Sequence, residues 1–412
     1  MNNRERLTIL VGAGAVIDAS KDCDKLVDTN SITEDILNDS SNKNVHELLN
    51  TIYDDLFKHY KRYNQRPNFE DLFHALEVLK SIFTIENAAP EYIPMYKFFM
   101  SVKDKYQKFD PYKLNPIEHS ISAAQSCIIK IIQDCIESYS NKSPVVWYRY
   151  FFKKLLENYN LDIFSLNYDT WFEQIYDEYN DGFIDTNSKS QFLQFKPNKV
   201  LDSNHPVNIH HMHGQIDFRP IDTQENAEEM FDDYQLNKIY KIKNVNKTKR
   251  KLDSVCSDNT TQAGEHLKNC PIITGKMKIE KTIFPPLDAY RTNLNNCIVK
   301  NPNLLIIGYG FADYYIDNLL GQFHNIHGDK KRVNIIDYAD SQTWKMQYTP
   351  FGLFGHKFHT LFGLCGDFGI EPSKLRQYKE IIELDNTHFH IYLKGFKKTV
   401  KENLNDIINS YR

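Results

Sequence analysis

Three short segments of this 412-residue chain bring together residue types that can do chemistry as a set. Leu7-Thr-Ile-Leu-Val-Gly12-Ala13-Gly14-Ala15 is an apolar run closing on two glycines. It reads as a strand entering a tight turn, whose backbone N–H groups at the head of a helix suit a pyrophosphate. Ile163-Phe-Ser165-Leu-Asn167-Tyr-Asp169 and Asn208-Ile-His-His-Met-His213-Gly214 each read as a strand delivering polar side chains to one edge of a sheet. An Asn, an Asp and a His held there against a dinucleotide have the means to break a glycosidic bond. The imidazole suits the role of base because its ordinary pKa lies near neutrality.

Each segment also has a plainer reading. Gly12-Ala-Gly14 fits a strand-to-helix turn with no ligand, and a dehydrogenase fingerprint would need glycine at position 17, where Ile17 stands. Asn167 and Asp169 share one side of a strand end, which also fits an Asx-type helix cap. His210, His211 and His213 raise the question of a metal. Adjacent strand residues point to opposite faces, however, and no acid or cysteine lies at ligand spacing, so no metal is expected. A second glycine turn, Gly308-Tyr309-Gly310-Phe-Ala-Asp313, follows the apolar run from Asn303. Asp337 closes the run from Arg332, and an acid at a strand end suits ribose hydroxyls.

The elements that must position these residues follow from periodicity. A strand with its glycine turn is predicted at 7–15 and another at 303–310, with further strands at 161–166, 207–211, 332–337 and 388–393 and a terminal helix after the last. A helix is predicted to start at Ser31-Ile-Thr-Glu34 with Ser31 as cap. Leu48, Leu49, Ile52, Tyr53 and Leu56 recur at helical spacing, as do Phe69, Leu72, Phe73, Leu76 and Leu79, with a helix start at Asn68. Strands alternating with helices predict an α/β chain with a parallel, doubly wound sheet carrying a large helical insertion. Residues 1–43, 158–220 and 271–412 form the expected core, 44–157 the helical insertion, and 221–270 a polar insertion or flap.

Composition narrows the class. Hydrophobic residues at 41% and charged residues at 25% describe an ordinary globular chain, and a net charge of −4 gives no overall basic field for nucleic acid or acidic membrane. No run of about 18 apolar residues suggests a membrane span, and the N-terminus leads straight into a core strand, so a cytoplasmic location is expected. The cysteines at 23, 127, 135, 256, 270, 297 and 365 form no C-x-x-C pair, which leaves no Cys-only zinc ribbon.

In their order and content, Gly12-Ala-Gly14, Asn167-Tyr-Asp169, His213-Gly214 and Gly308-Tyr-Gly310-x-x-Asp313 resemble the sirtuin-like superfamily, specifically its bacterial NAD-consuming branch. The resemblance covers roughly residues 7–36, 160–216 and 285–345. It implies a Rossmann-like core and NAD⁺ as substrate. Asn167 would hold a ribose hydroxyl and water, Asp169 the nicotinamide carboxamide, and His213 would act as base. Gly12, Ala13, Gly14, Ser165, Gly308, Tyr309, Gly310 and Asp337 would hold the nucleotide, with no zinc. The protein-deacylase branch carries a zinc ribbon and a peptide-pairing segment. Here the ribbon is missing and Phe284-Pro-Pro-Leu-Asp-Ala-Tyr290 replaces the segment. The implied activity is NAD⁺ glycohydrolysis in antiviral defence, gated by homo-oligomerisation or by a partner such as a ring-forming P-loop translocase that senses phage. A deacylase and a non-catalytic nucleotide-binding subunit of a nucleic-acid-processing complex are the alternative readings.

Overall fold

The computed structural model describes residues 4–21, 28–63, 65–84, 116–186, 192–220, 239–243, 257–260, 266–269, 272–275, 278–340, 380–383 and 388–412. Positions 102, 105, 106, 109, 188, 360, 361 and 364 are described singly. The strands are β1 (Arg6–Val11), β2 (Asn160–Ser165), β3 (Phe183–Ile184), β4 (Phe192–Phe195), β5 (Val207–His211), β6 (Phe218–Pro220) and β7 (Ile239–Ile242). They continue as β8 (Ser257–Thr260), β9 (His266–Asn269), β10 (Asn303–Ile307), β11 (Arg332–Ile336), β12 (Ile381–Glu383) and β13 (His388–Tyr392).

Seven of these form the main sheet in the order β12-β13-β11-β10-β1-β2-β5. Every pairing is parallel except the edge pair β12–β13. The chain is therefore a mixed α/β protein with a mostly parallel, Rossmann-like sheet. Its strands read as near-continuous apolar runs because both faces are covered. Along β1, Leu7, Ile9 and Val11 enter one hydrophobic cluster while Leu10 enters a second; Leu305 and Ile307 of β10 divide from Leu304 and Ile306 in the same way. Parallel register sets the ends of β1, β2, β5 and β10 along one edge, and the segments singled out above sit there.

The helices are α1 (Gly14–Lys21), α2 (Thr29–Asn38), α3 (Lys43–Tyr60), α4 (Phe69–Thr84), α5 (Pro116–Ser140), α6 (Val146–Asn158) and α7 (Trp171–Ile175). Then follow α8 (Pro197–Leu201), α9 (Lys278–Lys281), α10 (Leu287–Lys300), α11 (Tyr314–Leu320), α12 (Phe323–His327) and α13 (Phe396–Asn409). Helices α3 and α4 bury their anticipated stripes and α5 adds a third: Leu48, Leu72 and Ile128 lie in the same continuous cluster as Leu7 and Ile9 of the sheet. The described helices of the insertion thus share one core with a face of the sheet.

Helix α4 starts as the sequence suggests: Asn68 Oδ1 accepts from the Glu70 and Asp71 N–H groups, and Asn68 N–H donates to Asp71 Oδ2. The start of α2 differs. Asp28 is the cap, and Ser31 is its reciprocal partner three residues on, because an ionised carboxylate accepts the Ser31 N–H as well as a hydroxyl would.

The polar insertion also differs from expectation. Within it, β7 is wholly buried and paired between β4 and β6 in a second sheet ordered β3-β4-β7-β6. Its Lys241 reaches two buried acids, which lets a strand bearing a charge sit inside. Residues 221–238, 244–256, 261–265 and 270–271 lie outside the described residues.

Candidate functional site

The two glycine turns lock together at the sheet edge. The Gly12 N–H donates to Ile307 O and the Gly14 N–H to Gly308 O, both at 2.9 Å. Gly308 has φ +59, and a Cβ there would lie 2.1 Å from Ala15 N; a Cβ on Gly12 would lie 2.6 Å from Gly308 O. Glycine is therefore required for the turns to interlock. It follows that two of the N–H groups assigned from sequence to a pyrophosphate are already bonded to protein. The Ala13 N–H takes no backbone acceptor among the described residues. Phe311, fully buried with φ +55, is a strained residue in the second turn.

Beside this junction lies a cavity of about 410 Å³, within the ~300–1,000 Å³ usual for small-molecule sites. Gly12, Ala13, Gly14, Asn167, His213, Gly308, Tyr309 and Gly310 all line it. Sequence reading did not anticipate the opposite wall. That wall comes from the starts of α2 and α4 (Asp28, Thr29, Asn68, Phe69, Glu70), from α5 (Ile136, Tyr139) and from Lys278 of α9.

Asn167 is held by its side-chain Nδ2–H on Gly12 O at 3.2 Å and by its own N–H on Ser165 Oγ at 3.2 Å. Ser165 thus braces the turn from behind the cavity. Asp169 also stands behind the cavity. Its Oδ1 accepts from the Trp171 N–H at 3.0 Å, starting α7, and its Oδ2 faces the Tyr139 hydroxyl at 3.4 Å. Burial pushes its carboxyl up to about 6. Asp337 sits at the end of β11, accepts the Tyr338 N–H, and is not among the cavity-lining residues.

His213 follows β5 in a loop whose carbonyl accepts the Ile273 N–H at 2.7 Å. Its Nε2 lies 3.0 Å from Asp313 Oδ2. Asp313 also caps α11 through Oδ1. Burial alone would raise the Asp313 carboxyl, but the His213 hydrogen bond and charge and the nearby Lys278 hold it at about 2. An ionised carboxylate only accepts, so Nε2–H is the donor of this bond and Nδ1 is the ring nitrogen not engaged by Asp313.

The other two histidines face elsewhere. His210 Nε2 accepts from Asn293 Nδ2 at 2.9 Å in the opposite layer, and burial pushes its pKa down to about 4. His211 Nε2 lies 2.9 Å from Glu173 Oε1. Among the described residues no group of three or more His, Cys, Asp or Glu could hold a metal ion. Among them also, no helix is long and apolar enough to cross a membrane.

Behind Asp169 lies a buried charged network. Glu173 Oε1 accepts from Lys241 Nζ at 3.0 Å, from Gln215 Nε2 at 2.7 Å and from His211, and Lys241 also meets Asp181 at 2.6 Å. Asp217 stands nearby, its carboxyl also pushed up to about 6 by burial. Asp169 and Asp217 therefore keep protons in the folded state that the unfolded chain releases near pH 4. Their stabilisation is full below about pH 4 and lost as pH rises through about 6. His211 is raised above its ordinary value, chiefly by the Glu173 charge acting against burial, so its contribution is also lost on the alkaline side. Glu173 is held far below its ordinary range, chiefly by the Lys241 charge acting against burial, and opposes this only in acid. The melting temperature should fall between pH 5 and pH 8, and Asp217→Asn should flatten that fall, by about 1–1.5 kcal/mol for one carboxyl over this window. A melting temperature that rises over this range would contradict it.

No protein-family model and no curated protein sequence matches this chain.

Proposed function

We propose that this chain hydrolyses the nicotinamide–ribose bond of NAD⁺, releasing nicotinamide and ADP-ribose. The observation that carries the reading is the convergence on one cavity of Gly12–Gly14, Asn167, His213 and Gly308–Gly310, which lie far apart in the sequence. The sheet is read as doubly wound, in keeping with its two apolar faces, and the cavity lies at the carboxyl edge where such folds take ligands. These features join the motif resemblance to the bacterial NAD-consuming branch of the sirtuin-like proteins.

In this reading Asn167, fixed by Gly12 O, orients the nicotinamide ribose and the attacking water. The C1′–N bond breaks with its electron pair leaving on nicotinamide, through an oxocarbenium-like state. Water oxygen bonds to C1′, and its proton passes to Nδ1 of His213, whose charge Asp313 stabilises. Asp169 acts from behind by bracing the Asn167–Trp171 turn and the Tyr139 wall. Apolar Ile136, Leu166 and Phe69 keep bulk water from the reacting face. An enzyme that depletes NAD⁺ requires a gate. Assembly of copies, or a phage-sensing partner such as a ring-forming P-loop translocase, is the proposed one, in antiviral defence.

The test is NAD⁺ turnover with and without an acyl-lysine peptide. Equal nicotinamide release in both supports a hydrolase. Release only with the peptide would make the chain a deacylase.

A further inference from the structure

The cavity read as a dinucleotide site contains a charge problem. A dinucleotide carries a pyrophosphate, and a buried anion needs a counter-charge or several donors. The Gly12 and Gly14 N–H groups are bonded to Ile307 O and Gly308 O. Asp313 occupies the Tyr315 and Ile316 N–H groups of α11, and Asn68 occupies those of Glu70 and Asp71 in α4. Asp28 takes the Ser31 N–H of α2. The usual helix-end donors are thus largely taken up by protein.

Among the described residues, the cavity lining holds three carboxylates (Asp28, Glu70, Asp313) and one ammonium, Lys278. No arginine among the described residues lines it. Lys278 Nζ sits 2.9 Å from Glu70 Oε1, with the lysine side chain 18% and the glutamate 30% exposed. This pair crosses from α4 of the helical insertion to α9 of the core. Three residues along α9, Lys281 makes a deeper pair with Glu77 at 2.5 Å and donates to Thr274 O. The deeper pair anchors α9, leaving Lys278 at the cavity wall on a flexible four-carbon stem.

We infer that Lys278 is the pyrophosphate-binding residue of this site and that Glu70 is its competitor, occupying the ammonium until an anionic ligand displaces it. The inference rests on reading the cavity as a dinucleotide site. It changes the assignment made from sequence, in which the first glycine turn held the phosphates. The glycines instead shape the floor, with the Ala13 N–H as the backbone donor left to assist. It also makes the helical insertion part of the binding site, because the competing carboxylate belongs to α4. Asp313, His213, Arg291 and Tyr315 line a second, smaller cavity with Lys278. Asp313 and His213 are already committed to each other, and Arg291 stands over the Tyr315 ring at 5.4 Å.

Glu70 and Lys278 predict opposite signs. Lys278→Met should weaken ADP-ribose binding about ten- to a hundredfold, the usual range for loss of a charge-assisted contact. Glu70→Gln should strengthen it about two- to fivefold, because a partly exposed ion pair is a weak competitor. Lys278→Arg keeps the charge and should stay within about fivefold of wild type. Adenosine, which lacks phosphate, should bind wild type and Lys278→Met alike.

Calorimetric titration of the full chain with ADP-ribose and with adenosine separates the cases, alongside a nicotinamide-release assay. Equal ADP-ribose affinity in wild type and Lys278→Met would overturn the inference even if NAD⁺ is hydrolysed. An equal loss in Lys278→Arg, or weaker binding by Glu70→Gln, would overturn it too. Loss confined to Lys278→Met, with no nicotinamide release from NAD⁺, would leave the phosphate contact standing and remove the hydrolase reading. A wild-type chain that binds no ADP-ribose removes both.

Discussion

His213→Ala should cut nicotinamide release about 10²–10⁴-fold while leaving NAD⁺ binding within a few-fold of wild type, the usual consequence of removing a general base. The imidazole lines the cavity and is oriented by Asp313 at 3.0 Å. Asp313 keeps its cap contacts with α11 when the histidine is gone, so the fold should survive. Asp313→Asn is the informative companion. Asparagine caps a helix as well as aspartate does, but it cannot hold the imidazolium charge. The limb of its pH–rate profile set by the base should shift to lower pH, because the imidazolium has lost its carboxylate, while its melting curve stays in place. His210→Ala and His211→Ala should act on stability, since those rings are fully buried against Asn293 and Glu173. Wild-type turnover in His213→Ala would remove this residue from the chemistry.

Lys241→Met should destabilise the chain by about 3–5 kcal/mol, the range for removing one partner of a buried ion pair. Its ammonium is shared between Asp181 and Glu173, each nearly free of solvent contact, and its loss takes the counter-charge from Asp181 and leaves Glu173 to His211 and Gln215. It also removes the tether that holds β7 within the second sheet. Glu173→Gln in the same chain should restore part of the loss, because it removes one orphaned charge. Chemical denaturation measures both variants. A Lys241→Met midpoint equal to wild type would show that the network contributes little to stability.

What the sequence made legible was local. The 3.6-residue stripes of α3 and α4, the Asn68–Asp71 start and the glycine turns all involve residues within a few positions of one another. Even β5 falls at Val207–His211 as predicted. What stayed hidden was contact across distance. His213 meets Asp313 from 100 residues away, Lys241 meets Glu173 across 68, and Lys278 meets Glu70 across 208. No spacing rule encodes those pairings, since they depend on how layers stack. The polarity around β7 misled for the same reason. A lysine in an apolar strand reads as solvated until its buried acids are known. The glycine turns were recognised, but their packing against each other, which consumes the Gly12 and Gly14 N–H groups, required the register of β1 with β10.

The most direct measurement is the fate of NAD⁺ incubated with the purified chain in water enriched in heavy oxygen, alone at micromolar concentration and with the product of the neighbouring gene. Nicotinamide and ADP-ribose should appear in equal amounts, with one heavy oxygen at the anomeric carbon, under the condition that assembles the active form. NAD⁺ that binds in this cavity but remains intact under every condition would contradict the account and leave the chain a nucleotide-binding subunit.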